Sequence, residues 1–134
     1  MTLHSLLFGP DETPVTRGLP AVLASAAGCA LLMAWTLSGQ SGGVVFPLWA
    51  VAVGLAGGFG YAYRYDALVV CVAVGVAAFA GSDLGFHAIH GGEPVVGTLV
   101  DFASDPEPSA LGALFGGAGG VAGAAARRVV SLVR

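Results

Sequence analysis

Lysine is absent from this 134-residue chain, and five arginines supply all of its permanently basic side chains. Acids are few as well, at eight, so charged residues make up only 10% of the sequence, against roughly 25% in an ordinary soluble domain. A domain this small has too much surface for so few charges to keep it in water. The scarcity of cations, with an isoelectric point near 5.3, excludes a nucleic-acid binder, which needs a basic face against phosphate. A hydrophobic content of 56% excludes a disordered chain, because disorder follows from too little apolar surface to bury. Recognisable catalytic motifs are missing too: no G-x-S-x-G, no phosphate-cradling glycine loop ending in lysine, and no Cys/His nucleophile pair. What is present is apolar, with a mean hydropathy of +0.85, and the composition is that of a compact integral membrane protein.

The uncharged stretches are long. The 46 residues from Gly18 to Tyr63 contain no acidic or basic side chain, and one helix needs about 20 residues to cross roughly 30 Å of hydrocarbon. Two spans are therefore expected, 19–37 and 44–63, broken at Ser38-Gly39-Gln40-Ser41-Gly42-Gly43, with Pro20 in the first turn of one and Pro47 near the start of the other. Residues 67–82 form a third uncharged run. It is short for a span, so the helix is expected to continue through Asp83 to about residue 90, where Gly91-Gly92 stops it. A fourth span is expected at 109–130, with Asp105-Pro106-Glu107-Pro108 as a rigid acidic linker and Ser109 as its N-cap. The fold expected is an all-α integral membrane protein, a four-transmembrane-helix bundle at 19–134 behind a cytoplasmic segment at 1–18. Ala26-Ala27-Gly28-Cys29 faintly resembles a lipoprotein cleavage box, but the apolar run continues well past Cys29 and the N-terminal segment carries Asp11 and Glu12 instead of a basic stretch.

Arginine placement predicts the orientation. With the N-terminus inside, Arg17, Arg64, Arg127, Arg128 and Arg134 all fall on the cytoplasmic side, as the positive-inside rule requires. The outer segment 82–108 then carries Asp83, Glu93, Asp101, Asp105 and Glu107 and no arginine. Trp35 and Trp49 fall at the outer interface, and Tyr61, Tyr63 and Tyr65 at the inner one, which matches an aromatic belt. Both termini are expected in the cytoplasm, with the bundle in the cell membrane. Within the outer segment, Val95, Val96, Leu99, Val100 and Ala103 recur at helical spacing, which predicts a short interfacial helix. Its role is either a lid or docking surface, or simply a loop ordered by lipid.

The missing lysine, the acid excess and the Ala/Gly/Val-rich spans resemble membrane proteins of extremely halophilic archaea. The resemblance is one of composition and covers the whole chain. It indicates an origin and carries no family.

Two groups of residues are candidates for function. The first is glycine at four-residue spacing: Gly54 and Gly58 in span two, then Gly112, Gly116 and Gly120 in span four, with Gly119 and Gly123 one register over. Such positions share a helix face and let two backbones come close. They serve either packing within the chain or a face for a second copy or a partner. The second group is Asp83, His87, His90 and Glu93. On a helix the first three lie at i, i+4 and i+7, and imidazole with carboxylate at that spacing can hold a divalent transition metal, Glu93 closing in after the glycine break. Because imidazole titrates near pH ~6.5, a pH-responsive latch is a further reading. The alternative is that these are polar residues at the wet end of a helix. Cys29 and Cys71 sit at different depths in their spans, which makes a disulfide awkward and small buried apolar side chains the better reading.

Three functional classes remain open. One is an accessory or structural subunit acting through helix packing, without enzymatic activity or cofactor. Another is a component of a channel or transporter built as a homo-oligomer. The third is a metal-dependent membrane enzyme or metal carrier using the Asp83 cluster. The partners implied are the lipid bilayer and either a second copy or a larger membrane subunit, with no nucleic acid.

Overall fold

The computed structural model describes residues 7–8, 14–39, 46–91 and 94–133. Those residues fold into five helices: α1 Pro14–Leu37, α2 Leu48–Tyr65, α3 Leu68–His90, α4 Val95–Ser104 and α5 Pro106–Val133. Three of them, over Thr16–Leu37, Leu68–His90 and Pro106–Val133, are long and apolar enough to cross a membrane. In the 18-residue α2, Tyr61, Tyr63, Arg64 and Tyr65 make the last turn polar. Residues 40–45, which include the expected start of span two, lie outside the described residues.

Helix boundaries follow from local chemistry. The first helix starts at Pro14, five residues before the expected span, so Pro20 sits inside it and not in its first turn. Proline at a helix start loses nothing, because the first N–H groups have no partner within the helix anyway. Asp66 ends α2 in the left-handed conformation, φ 58° and ψ 30°, with its N–H donated to the carbonyl of Ala62. Aspartate is among the few non-glycine residues that adopt this conformation readily. Only Asp66 and Ala67 separate α2 from α3, so the two helices form a tight hairpin. Gly91 closes α3 by donating its N–H to the His87 carbonyl at 2.8 Å.

The last helix also begins earlier than expected. Asp105 accepts a hydrogen bond at Oδ1 from the Glu107 N–H at 3.1 Å, and the helix starts at Pro106. Asp105 is thus the N-cap, and Ser109 lies within the first turn. Pro106 and Pro108 occupy first-turn positions that need no N–H donor, so a sequence read as a rigid linker forms helix instead.

The buried centre of the bundle is α3. It packs against α1, α2 and α5; α2 and α5 also pack extensively on each other, while α1 meets α2 only slightly. Half of the apolar window of α3 is buried, compared with 22% for α1 and 33% for α5. Contacts also set the directions. Gly18, Ser25 and Ala30 of α1 lie against Val70, Val74 and Gly85 of α3, so α1 and α3 run the same way. Gly58 and Phe59 of α2 lie against Gly116 and Gly123 of α5, so that pair is parallel as well. Gly75 and Cys71 lie against Gly112 and Gly116 in turn, which makes α3 and α5 antiparallel. The four long helices therefore alternate in direction.

The outside of this bundle is apolar. Leu23, Leu31, Trp35, Leu55, Leu114 and Val121 are among many large hydrophobic side chains left exposed on it. A soluble monomer rarely exposes apolar patches of such extent, and a lipid-facing surface requires them. On α4, Thr98 and Phe102 turn into the bundle while Val95, Val96, Leu99 and Val100 stay exposed, so its apolar stripe faces away from the protein. The length and composition of three helices, and this apolar surface, are those of a membrane-spanning bundle.

Candidate functional site at the acidic end of the bundle

Arg17, Arg64 and Arg127 lie at one end of the bundle beside Asp66, and the other described acids lie at the opposite end. At one end Arg127 Nη1 donates to the Arg64 main-chain carbonyl at 3.3 Å, and the charge of Arg17 acts on Tyr61 of the same end. Tyr61 and Tyr65 pack there with ring centroids 4.9 Å apart, and the Arg64 guanidinium lies 5.8 Å from the centre of the Tyr65 ring. At the other end are Asp83, Asp101 and Asp105, close enough for the charges of the latter two to act on the first. Arg134 lies outside the described residues.

The glycines account for how closely the helices approach. A Cβ on Gly116 would meet the carbonyl oxygen of Cys71 and come within 3.0 Å of the Gly75 nitrogen; one on Gly112 would come within 2.7 Å of the Val76 Cα. At Gly120 the obstacle is Cys71 Cβ, at 2.9 Å. These three glycines therefore sit against α3. Gly119 and Gly123, one register over, sit against the carbonyls of Leu55 and Phe59 on α2. Gly58 lies against the Gly116 carbonyl, and a Cβ on Gly54 would be in ordinary contact with the Gly75 Cα and the Phe115 Cβ, each at 3.5 Å. The two glycine registers of α5 thus fill the groove between α2 and α3.

Sequence reasoning missed a further pair. Gly81 and Gly85 of α3 lie against the carbonyls of Ala26 and Ala30 on α1. Their four-residue spacing, facing the same spacing in Ala26 and Ala30, was the available signal. This contact is tied by Ser25, whose hydroxyl bonds the Val22 carbonyl at 2.7 Å and reaches the Val74 carbonyl of α3 at 3.2 Å. The thiol of Cys71 reaches the Gly58 carbonyl of α2 at 3.2 Å. Cys29 and Cys71 are both buried free thiols, and they belong to separate core clusters.

Of the four acidic-end residues proposed as metal ligands, two come together. Asp83 Oδ1 and His87 Nδ1 are 3.5 Å apart, one helical turn from each other. His87 Nδ1 is also 3.0 Å from the Asp83 main-chain carbonyl. His90 does not join them: its Nδ1 lies 3.4 Å from the Phe86 carbonyl and its ring stacks on Phe86 at 4.7 Å. Glu93 lies outside the described residues. Among the described residues, no group of three or more His, Cys, Asp or Glu side chains is arranged to hold a metal ion.

Beside this pair is a cavity of about 240 Å³. Met33 of α1, Pro47 at the start of α2, Phe79 and Phe86 of α3, and Pro108 of α5 form its apolar walls, and Ser82 and Asp83 are its polar members. Ser82 is only 2% exposed, and its hydroxyl oxygen makes no hydrogen bond among the described residues, although the Cys29 thiol is its neighbour. Phe79 is held by a parallel stack on Phe115 of α5, ring centroids 6.2 Å apart. One carboxylate and two phenyl rings are thus gathered at the end of the bundle opposite the arginines.

No protein-family model, curated protein or solved structure matches the chain, so its function is read from these residues alone.

Proposed function

We propose that the chain is a four-span protein of the cell membrane, with both termini in the cytoplasm, that serves as an accessory subunit through helix packing and its acidic outer end. Four spans are supported by the length of α2, whose 18 residues reach about 27 Å at 1.5 Å each, close to the ~30 Å hydrocarbon thickness. The orientation is supported by the clustering of Arg17, Arg64 and Arg127 at one end, since arginine is retained on the cytoplasmic side.

The observation that carries the accessory reading is where the glycines are used. A homo-oligomeric pore would be assembled from small-residue faces turned toward neighbouring copies. Here Gly58, Gly112, Gly116, Gly119, Gly120 and Gly123 are all buried against other helices of the same chain. What remains on the outside is mostly large and apolar, suited to lipid or to an apolar partner helix, with Ala52, Ala56 and Gly60 as a small-residue strip on α2. Moreover, the buried polar side chains among the described residues are Ser25, Ser82 and Thr98, which carry no charge across a membrane.

The experiment is reconstitution of the purified protein into liposomes with an entrapped pH- or potassium-sensitive dye. The accessory reading predicts leakage equal to that of protein-free liposomes. Saturable flux that scales with protein density would overturn it in favour of a channel or carrier.

A further inference from the structure

We propose that the cavity at the acidic end binds a small organic monocation, either a soluble alkylammonium ion or the ammonium of a lipid headgroup. Its charge would rest on Asp83, and its carbon body on Phe79 and Phe86. This goes beyond the accessory role and is independent of it, since neither the number of spans nor a partner subunit enters the argument.

The sign of the ligand follows from the charges around the cavity. Asp83 lines it, Asp101 and Asp105 add their fields, and Arg17, Arg64 and Arg127 are at the far end of the bundle. The only basic neighbour of the Asp83 side chain among the described residues is His87, at 3.5 Å. An anion would find no donor cation there.

The walls decide what kind of cation fits. A hydrated metal ion needs several oxygen, nitrogen or thiolate donors in a closed shell. This cavity offers one carboxylate among phenyl rings, a thioether and proline rings. An alkylammonium needs few donors, and its polarised C–H groups are attracted to aromatic faces. Phe79 is fixed by its stack on Phe115, and Phe86 by its stack on His90, so both rings are positioned before any ligand arrives. The volume, about 240 Å³, falls below the roughly 300–1,000 Å³ of sites for drug-sized molecules, which limits the occupant to a few carbon atoms beyond its charged nitrogen.

The test is saturation-transfer NMR on the full-length protein in a non-ionic detergent, with n-butylammonium and n-butanol as probes. The two have similar shapes and differ in charge. The expected result is saturable transfer to butylammonium and none that saturates for butanol. Asp83→Asn should weaken butylammonium binding ~10-fold or more, the scale of a charge-assisted contact, whereas Asp101→Asn, away from the cavity wall, should change it little. Phe86→Leu keeps the wall apolar and removes a ring, so it should weaken butylammonium alone. If Asp83→Asn fails to fold by circular dichroism and gel filtration, Phe86→Leu carries the same test. Equal signals from both probes, or undiminished binding in folded Asp83→Asn or Phe86→Leu protein, overturn the proposal. Nanodiscs with and without an ethanolamine headgroup lipid separate the sources. A butylammonium signal suppressed by that lipid supports the proposal with a headgroup as occupant, and an unchanged one supports it with a soluble amine.

Discussion

Arg127, near the end of the last helix, donates its guanidinium Nη1 to the main-chain carbonyl of Arg64 across 3.3 Å, tying α5 to the turn that joins α2 to α3. Two arginines 63 residues apart thereby share one end of the bundle. That end is the one retained in the cytoplasm if the positive-inside rule governs insertion. In protein whose native cysteines are replaced by alanine, a cysteine at Asp66 should react with a membrane-impermeant maleimide only after the inner face is exposed. Cysteines at Gly39 and Gly91 should react from outside in intact cells. Labelling of the Asp66 and Gly39 positions from the same side would contradict the alternating arrangement.

The glycine contacts predict a graded series. Gly116→Ala drives a methyl into the Cys71 carbonyl, and Gly119→Ala drives one into the Leu55 carbonyl. Both carbonyls belong to the backbone and cannot rotate away. Each substitution should destabilise the bundle by about 1–3 kcal/mol, the ordinary cost of overpacking. Gly28 and Gly60 have nothing within 4 Å of an added Cβ, so alanine there should be neutral or slightly stabilising. Unfolding by SDS titration in mixed micelles, followed by far-ultraviolet circular dichroism, measures the difference.

Asp66 holds a left-handed backbone with φ 58°. Asp66→Gly should leave stability unchanged or raise it slightly, because glycine enters this conformation without steric cost. Asp66→Val should lower stability by about 1–2 kcal/mol, the cost of that conformation for an ordinary side chain. The same SDS titration reads both, and equal stability for Gly and Val would contradict the turn geometry.

Ser25 is the one side chain of α1 whose hydroxyl bonds the α3 backbone among the described contacts, at Val74. Ser25→Ala should cost only about 0.6 kcal/mol, the average for interhelical hydrogen bonds in membrane proteins. Gly85→Leu, on the same interface, would drive a large side chain into the Ala30 backbone and should detach α1. Protease sensitivity of the α1–α2 connection separates these outcomes, with little change for Ser25→Ala and rapid cleavage for Gly85→Leu.

Much of the helical pattern was legible because charge is so sparse. The run from Gly18 to Tyr63 demanded two helices, and the Gly91-Gly92 break located the end of α3 beyond Asp83. Helix starts were harder to read. Pro20 and Ser109 each look like a first-turn signal, but Pro14 and Asp105 satisfy the same rule earlier, and a helix extends until its backbone finds a better partner. Spacing placed Asp83, His87 and His90 on one stripe. It did not foresee that Phe86 would take the His90 ring by stacking, leaving Asp83 with His87 alone. The cavity was not legible at all. Its walls come from helices far apart in sequence, and Ser82 looked like one more small residue at the end of an apolar run.

The buried glycine faces of α5 pack within one chain, and the proposed accessory role requires a second, unlike polypeptide beside it. Native mass spectrometry of the protein, extracted gently from its own membranes, tests it most directly. The expected result is one copy of this chain bound to a second, unlike polypeptide, and a monomer when the chain is purified alone. A bare ring of three or more identical copies would contradict it.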